Sequence, residues 1–257
     1  MRHESVQQVV ARIRGAAGVL PPPAIVATDA DGTIWSGDVG VDAFESMLER
    51  KLIRAQALAA LQAEARDAGL PVADEANEVA RVLYEACERG TYAEVRAYEM
   101  MAWVFAGWAP QEIRDFMREV IAERRLVPRL HGEVRAVFDQ VCGDALPLFV
   151  VSASPTIVVE QSVAAAGLKV RGVIAAEAAI EAGIVQPRMA SPIPYAAGKV
   201  VALQSAVPGA SVAAAFGDNL FDLEMLRLAS VPVAVRPKPR LAERAGDIPR
   251  MVELVAP

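Results

Sequence analysis

Two residue types that would open whole classes of chemistry are scarce in this chain. Among 257 residues there are two cysteines, Cys87 and Cys142, and two histidines, His3 and His131. Two distant cysteines make no disulfide framework and read as small buried apolar side chains. No histidine–cysteine cluster exists to hold zinc, and no serine-nucleophile motif accompanies either histidine. A continuous apolar run of about 18 residues is also lacking, so no membrane-spanning helix is expected. The first twenty residues are polar where a signal peptide carries its apolar core, which leads to the expectation of a cytoplasmic protein. Positive charge is in deficit. Lys plus Arg is 26 against 32 for Asp plus Glu, a net charge of −6. Such a surface gains nothing from general electrostatics near nucleic acid or an anionic membrane, so neither is an expected partner. An anionic substrate would need local devices: a metal ion, a lysine and backbone N–H groups.

What the chain does have is material for a core. Hydrophobic residues make up 54% and charged residues 23%, the balance of a compact chain. Its length suits two domains, or one with an insertion. Residues 5–18 carry Val9, Val10, Ile13 and Ala17 at helical spacing, and Pro21, Pro22 and Pro23 end that helix. Residues 24–28 are a short β-branched run expected as a buried strand, and it leads directly into Asp29-Ala30-Asp31-Gly32-Thr33. From about 39 to 121 the pattern is helical. One long region reaches the break at Gly69-Leu70-Pro71. Helices over 74–87 and 92–105 follow, then one with the apolar stripe Ile113, Phe116, Met117, Val120 and Ile121.

After Pro128 strands return. A helix over 132–141 precedes a strand over 146–151 that ends in Ser152-Ala153-Ser154-Pro155. Further strands are expected over 170–175, 211–216 and 231–235, with a small hairpin or flap over 180–185. Helices are expected from Pro155 to about Gly167, over 198–203 and over 220–228, and the proline-rich piece 235–239 reads as a solvated connection. Strand–helix alternation on both sides of an all-helical block predicts an α/β fold. Residues 1–36 and 128–257 would form a Rossmann-like three-layer core with a mostly parallel sheet, and residues 37–127 an inserted all-helical cap.

Open α/β sheets bind ligands beyond the carboxyl ends of their strands. Three expected strands end in polar clusters: Asp29 with Asp31, Ser152 with Ser154, and Asp218 with Asp222. If those strands are neighbours, the clusters meet at one sheet edge, and Lys199 near a helix start can reach them. Strand-end carboxylates can hold Mg²⁺, a hard cation that takes oxygen ligands. With phosphate charge neutralised, an aspartate can attack phosphorus and form an aspartyl-phosphate. A second carboxylate must protonate the leaving alcohol and later activate water. Asp29 and Asp31 have the spacing to divide these roles. Lys199 would bind phosphoryl oxygens, and Ser152 with nearby N–H groups would complete the cradle, favoured by the helix N-terminus after Pro155.

These residues carry a resemblance. Asp29-Ala30-Asp31-Gly32-Thr33 resembles the first motif of the haloacid dehalogenase-like hydrolase superfamily, and Val150-Val151-Ser152-Ala153-Ser154 its second. Lys199 in Ala197-Gly198-Lys199 resembles the third, and Gly217-Asp218-Asn219-Leu220-Phe221-Asp222 the fourth. The helical insert resembles the cap of the phosphoserine phosphatase-like branch. The resemblance implies Asp29 as nucleophile and metal ligand, and Asp31 as general acid-base with its backbone carbonyl on the metal. It implies Asp218 as a direct ligand and Asp222 as an orienting group for the metal or Lys199. Gly32, Thr33, Ser152, Ala153, Lys199 and Asn219 would surround the phosphate, and Mg²⁺ would be the cofactor. Dehalogenases of the superfamily lack the second aspartate, so Asp31 points to phosphoryl chemistry.

Substrate choice would fall to the cap. Asp38 and Glu45 are candidates for holding a substrate amine, although Asp38 equally reads as a helix N-cap. Aromatic residues concentrate in the cap, and Trp103 and Trp108 in an acidic-rimmed cage would suit a quaternary ammonium group; packing between cap helices is the competing use. The expected activity is hydrolysis of a small phosphomonoester, phosphoserine-like or phosphocholine-like. Phosphoryl transfer to an alcohol acceptor and binding without turnover are the alternatives. A homodimer is the default for the oligomeric state.

Overall fold

The computed structural model describes residues 1–256. The chain opens with a three-residue strand, β1 (Arg2–Glu4), and an amphipathic helix, α1 (Val6–Ala17), started by reciprocal capping bonds between Ser5 and Gln8. β2 (Ala24–Thr28) follows and delivers the acidic loop at its end. Then come five α-helices with no strand among them: α2 (Val39–Glu49), α3 (Leu58–Asp67), α4 (Ala76–Glu88), α5 (Glu94–Trp103) and α6 (Pro110–Glu123). The single long helical region expected before Gly69 is two helices. Lys51 adopts a left-handed φ of 54° after α2, and Arg50 beside it pairs with Glu119 and Glu123 of α6. A long-range ion pair thus ends a helix that the local pattern would continue.

α7 (Gly132–Val141), β3 (Leu148–Pro155), α8 (Thr156–Ala165) and β4 (Gly172–Ala176) restore the alternation. β5 (Ala178–Glu181) and β6 (Ile184–Met189) form the antiparallel hairpin. The remaining elements are α9 (Ala197–Ala206), β7 (Ser211–Gly217), α10 (Leu223–Leu228), β8 (Val231–Val235), α11 (Pro239–Glu243) and β9 (Val252–Leu254). Among the described residues no helix is long and apolar enough to cross a membrane.

The main sheet has seven strands in the order β1-β9-β8-β7-β2-β3-β4, and every neighbouring pair is parallel. A parallel sheet must be covered on both faces, and alternation along the strands provides for it. Val26 and Phe216 face α1, α7 and α8 through Val9, Ile13, Val134, Phe138 and Val159. Ile25, Ala27 and Ala215 face α9, α10 and α11 through Leu203, Leu226 and Leu241. The core is therefore the three-layer α/β arrangement expected. The first apolar cluster continues into the inserted helices through Trp35, Phe44, Met47, Leu83, Met100 and Met117. The helical insert shares this core, with α6 packed on α8. Paired backbone hydrogen bonds also join Gly107 and Trp108 to Val185 of the hairpin.

Two differences from expectation bear on the site. β3 runs on through Pro155, so Ser152 and Ser154 belong to the strand and are buried. β1, a short charged segment with no alternation, forms because β9 lies alongside, Arg2 opposite Val252.

The layer beneath the site gives a stability test. Phe216 is fully buried, and its ring meets Phe138 edge to face at 5.0 Å between centroids. Phe216→Ala should cost about 3–5 kcal/mol in urea unfolding. A loss under about 1 kcal/mol would show that the β7–α7 contact does not carry this layer.

Candidate functional site

The sheet order seats β2 between β7 and β3, so their carboxyl ends lie side by side. Asp29 and Asp218 follow the ends of β2 and β7, Ser152 lies in the second half of β3, and Lys199 arrives from the first turn of α9. They line one cleft together with Asp31, Ala153, Asn219 and Asp222. The convergence expected from ordinary α/β topology is therefore real.

Lys199 is the electrostatic centre. Its Nζ donates to Asp29 Oδ1 at 2.5 Å and to Asp222 Oδ1 at 2.6 Å, and all three side chains are nearly inaccessible to solvent. Burial alone would pull the Lys199 pKa down, but Asp222 and Asp29 reverse this and raise it, so the ammonium stays charged. Burial, reinforced by the charge on Asp222, pushes the Asp29 carboxyl well above the usual range, with Lys199 opposing. Thr33 Oγ1 donates to Asp29 Oδ2 at 3.1 Å. The Thr33 carbonyl accepts from His131 Nδ1 at 2.9 Å, so His131 anchors the loop.

Asp31 leaves the same loop for a different environment. Its Oδ1 accepts from Trp35 Nε1 at 2.9 Å and from the Val39 backbone N–H at 2.8 Å. Its Oδ2 accepts from Ser154 Oγ at 2.7 Å, with Ser152 Oγ at 3.5 Å. Burial raises its pKa, and these hydrogen bonds only partly offset the rise. A carboxyl with a raised pKa, fixed in orientation, suits a general acid.

Oxygens of Asp29, Asp218 and Asp222 lie within 4.8 Å of one another, a cluster compatible with a divalent metal ion. The three members are not equivalent. Asp222 Oδ1 accepts from Lys199, and Oδ2 accepts from the backbone N–H groups of Asp218 and Asn219 at 3.1 and 3.0 Å. With its lone pairs committed, Asp222 orients Lys199 and the loop. Asp218 Oδ1 is buried with no hydrogen-bond partner among the described residues. An orphaned buried carboxylate oxygen among oxygen donors fits a hard cation. Gly32 makes room for this arrangement. Its φ is +86°, and a Cβ there would sit 2.2 Å from Asp218 Oδ2. The Asp31 side chain stands outside the three-carboxylate group.

The cleft wall differs from the expected one. Asp38 is the N-cap of α2, accepting from Val41 N–H at 2.9 Å, and it also lines the cleft. Glu45, Trp103 and Trp108 do not line it. Glu45 accepts from Tyr84 OH at 3.1 Å within the cap, and Trp108 packs on Phe105 and Phe116 under Arg54. Trp103 is buried in the same apolar cluster. The tryptophans are largest where helices must be filled, and that is where they lie. The aromatic wall is instead Tyr98, Tyr195 and Phe221, with ring centroids 6.0 Å apart for the tyrosines and 4.5 Å for Tyr195–Phe221. Lys238 also lines the cleft, its Nζ 2.9 Å from Asp218 Oδ2. The segment expected as a solvated connection therefore reaches the carboxylate cluster. The proline pair around Lys238, which makes it rigid, was the only signal available. Asn219 spends its Oδ1 on the Leu220 N–H.

The family model for haloacid dehalogenase-like hydrolase matches residues 26–227, from β2 to α10. The chain belongs to this family. No curated protein matches it in sequence. Solved structures with a similar fold include a protein of unknown function from Bordetella pertussis Tohama I, with TM-score 0.68 and 21% identity over 90% of this chain and 97% of that one. Another, from Anaerococcus prevotii DSM 20548 and also of unknown function, has TM-score 0.67 and 12% identity over 96% and 90%. A substrate-bound phosphoserine phosphatase complex has TM-score 0.50 and 14% identity over 88% and 91%. At these identities the likeness is one of fold. Family and aspartate cluster together mark the chain as a haloacid dehalogenase-like hydrolase.

The crowding of carboxyls has a pH signature. Burial, with the charge of Asp31, pushes the Asp38 pKa up to about 8 from 3.8. An acid with a raised folded-state pKa binds more protons when folded, so its contribution favours folding at low pH and is lost as pH rises towards 8. Asp29, Asp31 and Asp218 shift in the same direction. In metal-free protein the thermal midpoint should fall between about pH 5 and pH 8. Asp38→Asn keeps an N-capping side chain and should make that fall shallower. An equally steep fall in the variant would remove Asp38 from the cause.

Proposed function

We propose that this hydrolase is a Mg²⁺-dependent phosphatase of small phosphomonoesters that works through an aspartyl-phosphate on Asp29. The observation that carries the reading is the division of Asp29 and Asp31. One faces Lys199 beside the Asp218 and Asp222 carboxylates, and the other is held by Trp35, Val39 and Ser154. Asp29, Asp218 and the Asp31 backbone carbonyl would hold Mg²⁺. When bound, Mg²⁺ supplies the positive charge that lets a carboxylate approach a phosphate dianion.

An Asp29 oxygen attacks phosphorus while the bond from phosphorus to the ester oxygen breaks, and Asp31 gives its proton to the departing alcohol. Asp31 then takes a proton from water. The resulting hydroxide attacks phosphorus and frees Asp29 with release of inorganic phosphate. Lys199 holds phosphoryl oxygens and its two carboxylates in register, while Ser152, Ala153 and Asn219 form the polar wall around the phosphate. A narrow polar cleft of this kind suits a small molecule.

The leaving group we favour carries a cationic nitrogen, as in phosphoserine or phosphocholine. Five carboxylates, Asp29, Asp31, Asp38, Asp218 and Asp222, line the cleft with two ammonium groups, Lys199 and Lys238. Asp38 and the rings of Tyr98, Tyr195 and Phe221 suit an alkylammonium group. The similar fold of a phosphoserine phosphatase is consistent with this choice. A cytoplasmic setting belongs to the same reading.

The test is a panel of small phosphomonoesters with Mg²⁺, including phosphoserine and phosphocholine, scored by kcat/KM and by phosphate released. A strong preference for a sugar phosphate would remove the amine reading. Phosphorylated alcohol in excess over free phosphate would make the chain a transferase. Chelation should abolish turnover. Asp29→Asn should lower kcat by roughly 10⁴- to 10⁶-fold and Asp31→Asn by about 10²- to 10⁴-fold. Near-normal turnover by Asp29→Asn would end the covalent scheme.

A further inference from the structure

The loop that carries Asp218 is strapped from outside by a segment the reaction scheme does not use. After β8 the chain turns at Arg236, whose φ of +43° is a left-handed value rarely adopted by a side-chain-bearing residue. The turn is held by the Arg236 guanidinium on Glu133 at 2.8 Å, a carboxylate that is itself buried at the start of α7. Pro237 and Pro239 then flank Lys238 and restrict the backbone on either side. Lys238 grips Asp218 twice. Its backbone N–H donates to the Asp218 carbonyl at 2.8 Å, and its Nζ lies 2.9 Å from Asp218 Oδ2. Gly32 also packs close to this carboxylate, since a Cβ there would sit 2.2 Å from Oδ2. The remaining oxygen, Oδ1, is the buried atom without a partner.

We infer that Lys238 is the positioning residue of the metal site, tying Asp218 Oδ2 to the strap so that Oδ1 is presented to Mg²⁺. The inference rests on the proposed Mg²⁺ site and goes beyond it. It assigns a second lysine, outside the four motifs, to the ligand and not to the phosphate.

Two opposing effects decide the sign. A cation beside a metal ligand repels the metal, and a fixed hydrogen bond pre-orients the ligand. The Lys238 side chain is 54% exposed, so water and salt screen its repulsion, while the Asp218 side chain is only 3% exposed. Without Lys238 the carboxylate would be met only by water, which does not fix its orientation as a tethered donor does. Orientation therefore outweighs repulsion, and removal of Lys238 weakens the metal.

The experiment is a calorimetric Mg²⁺ titration of the full chain, comparing wild type with Lys238→Met and Lys238→Arg at constant ionic strength. Lys238→Met should bind Mg²⁺ about 10- to 100-fold more weakly, the usual effect of losing an outer partner of a ligand. Lys238→Arg, which keeps a charged donor, should recover most of the affinity. Turnover of Lys238→Met should return to within about threefold of wild type once Mg²⁺ is saturating, because the residue acts through the metal. Affinity unchanged or tighter in Lys238→Met overturns the inference. So does turnover that stays low at saturating Mg²⁺, since Lys238 would then act on the substrate. If Lys238→Met does not fold, Lys238→Gln carries the same titration. Absence of Mg²⁺ binding by the wild type would overturn the metal reading and this inference with it, whereas normal wild-type binding with an unaltered variant overturns the inference alone.

Discussion

Lys199 sits between Asp29 and Asp222 with almost no access to water, and much of the site follows from making that arrangement tolerable. An ammonium and two carboxylates taken out of solvent lose hydration worth several kcal/mol per ion, which only close pairing and further hydrogen bonds can offset. Asp222 receives those bonds from the Asp218 and Asn219 backbone, which fixes the loop after β7. Asp29 receives one from Thr33, whose carbonyl is in turn held by His131. Burial still holds the Asp29 pKa above the usual range, and two carboxylates share one ammonium, an arrangement compatible with a cation beside it.

That constraint explains why the catalytic loops sit on a parallel sheet. Neighbouring parallel strands bring their carboxyl ends to a common edge, and β7, β2 and β3 do so without any unusual connection. The buried faces of those strands, Val26 and Phe216 on one side and Ile25 and Ala215 on the other, give the loops a rigid base. The helical insert leaves directly from the acidic loop. Asp31 accepts from the first N–H of α2, so Asp31 is tied to the cap while Asp29 is tied to Lys199 of the core. Any movement of α2 relative to the sheet would act on Asp31 before Asp29.

The extent to which this was legible differs residue by residue. Strand β8 and helix α7 have the bounds read from local pattern, because apolar periodicity is set by neighbours in the chain. Asp29, Asp31, Lys199, Asp218 and Asp222 were found because each lies at a strand or helix end in a recognisable order. Trp103 and Trp108 misled because an aromatic residue in a cap can serve packing or binding, and the local sequence is the same for both. Lys238 was missed because its partner, Asp218, lies across a strand connection. The short strand β1 exists only because the far end of the chain pairs with it.

By itself the sequence determined the alternation of elements, the helical insertion and which carboxylates gather at the sheet edge. These depend on residues close together in the chain: periodic apolar positions and polar clusters that end strands. Only the tertiary structure decided that Tyr98, Tyr195 and Phe221, and not the tryptophans, face the cleft, and that Lys238 grips a metal-site carboxylate. Those assignments depend on which helix face and which distant loop meet at the sheet edge, a matter of packing between elements that no local pattern specifies.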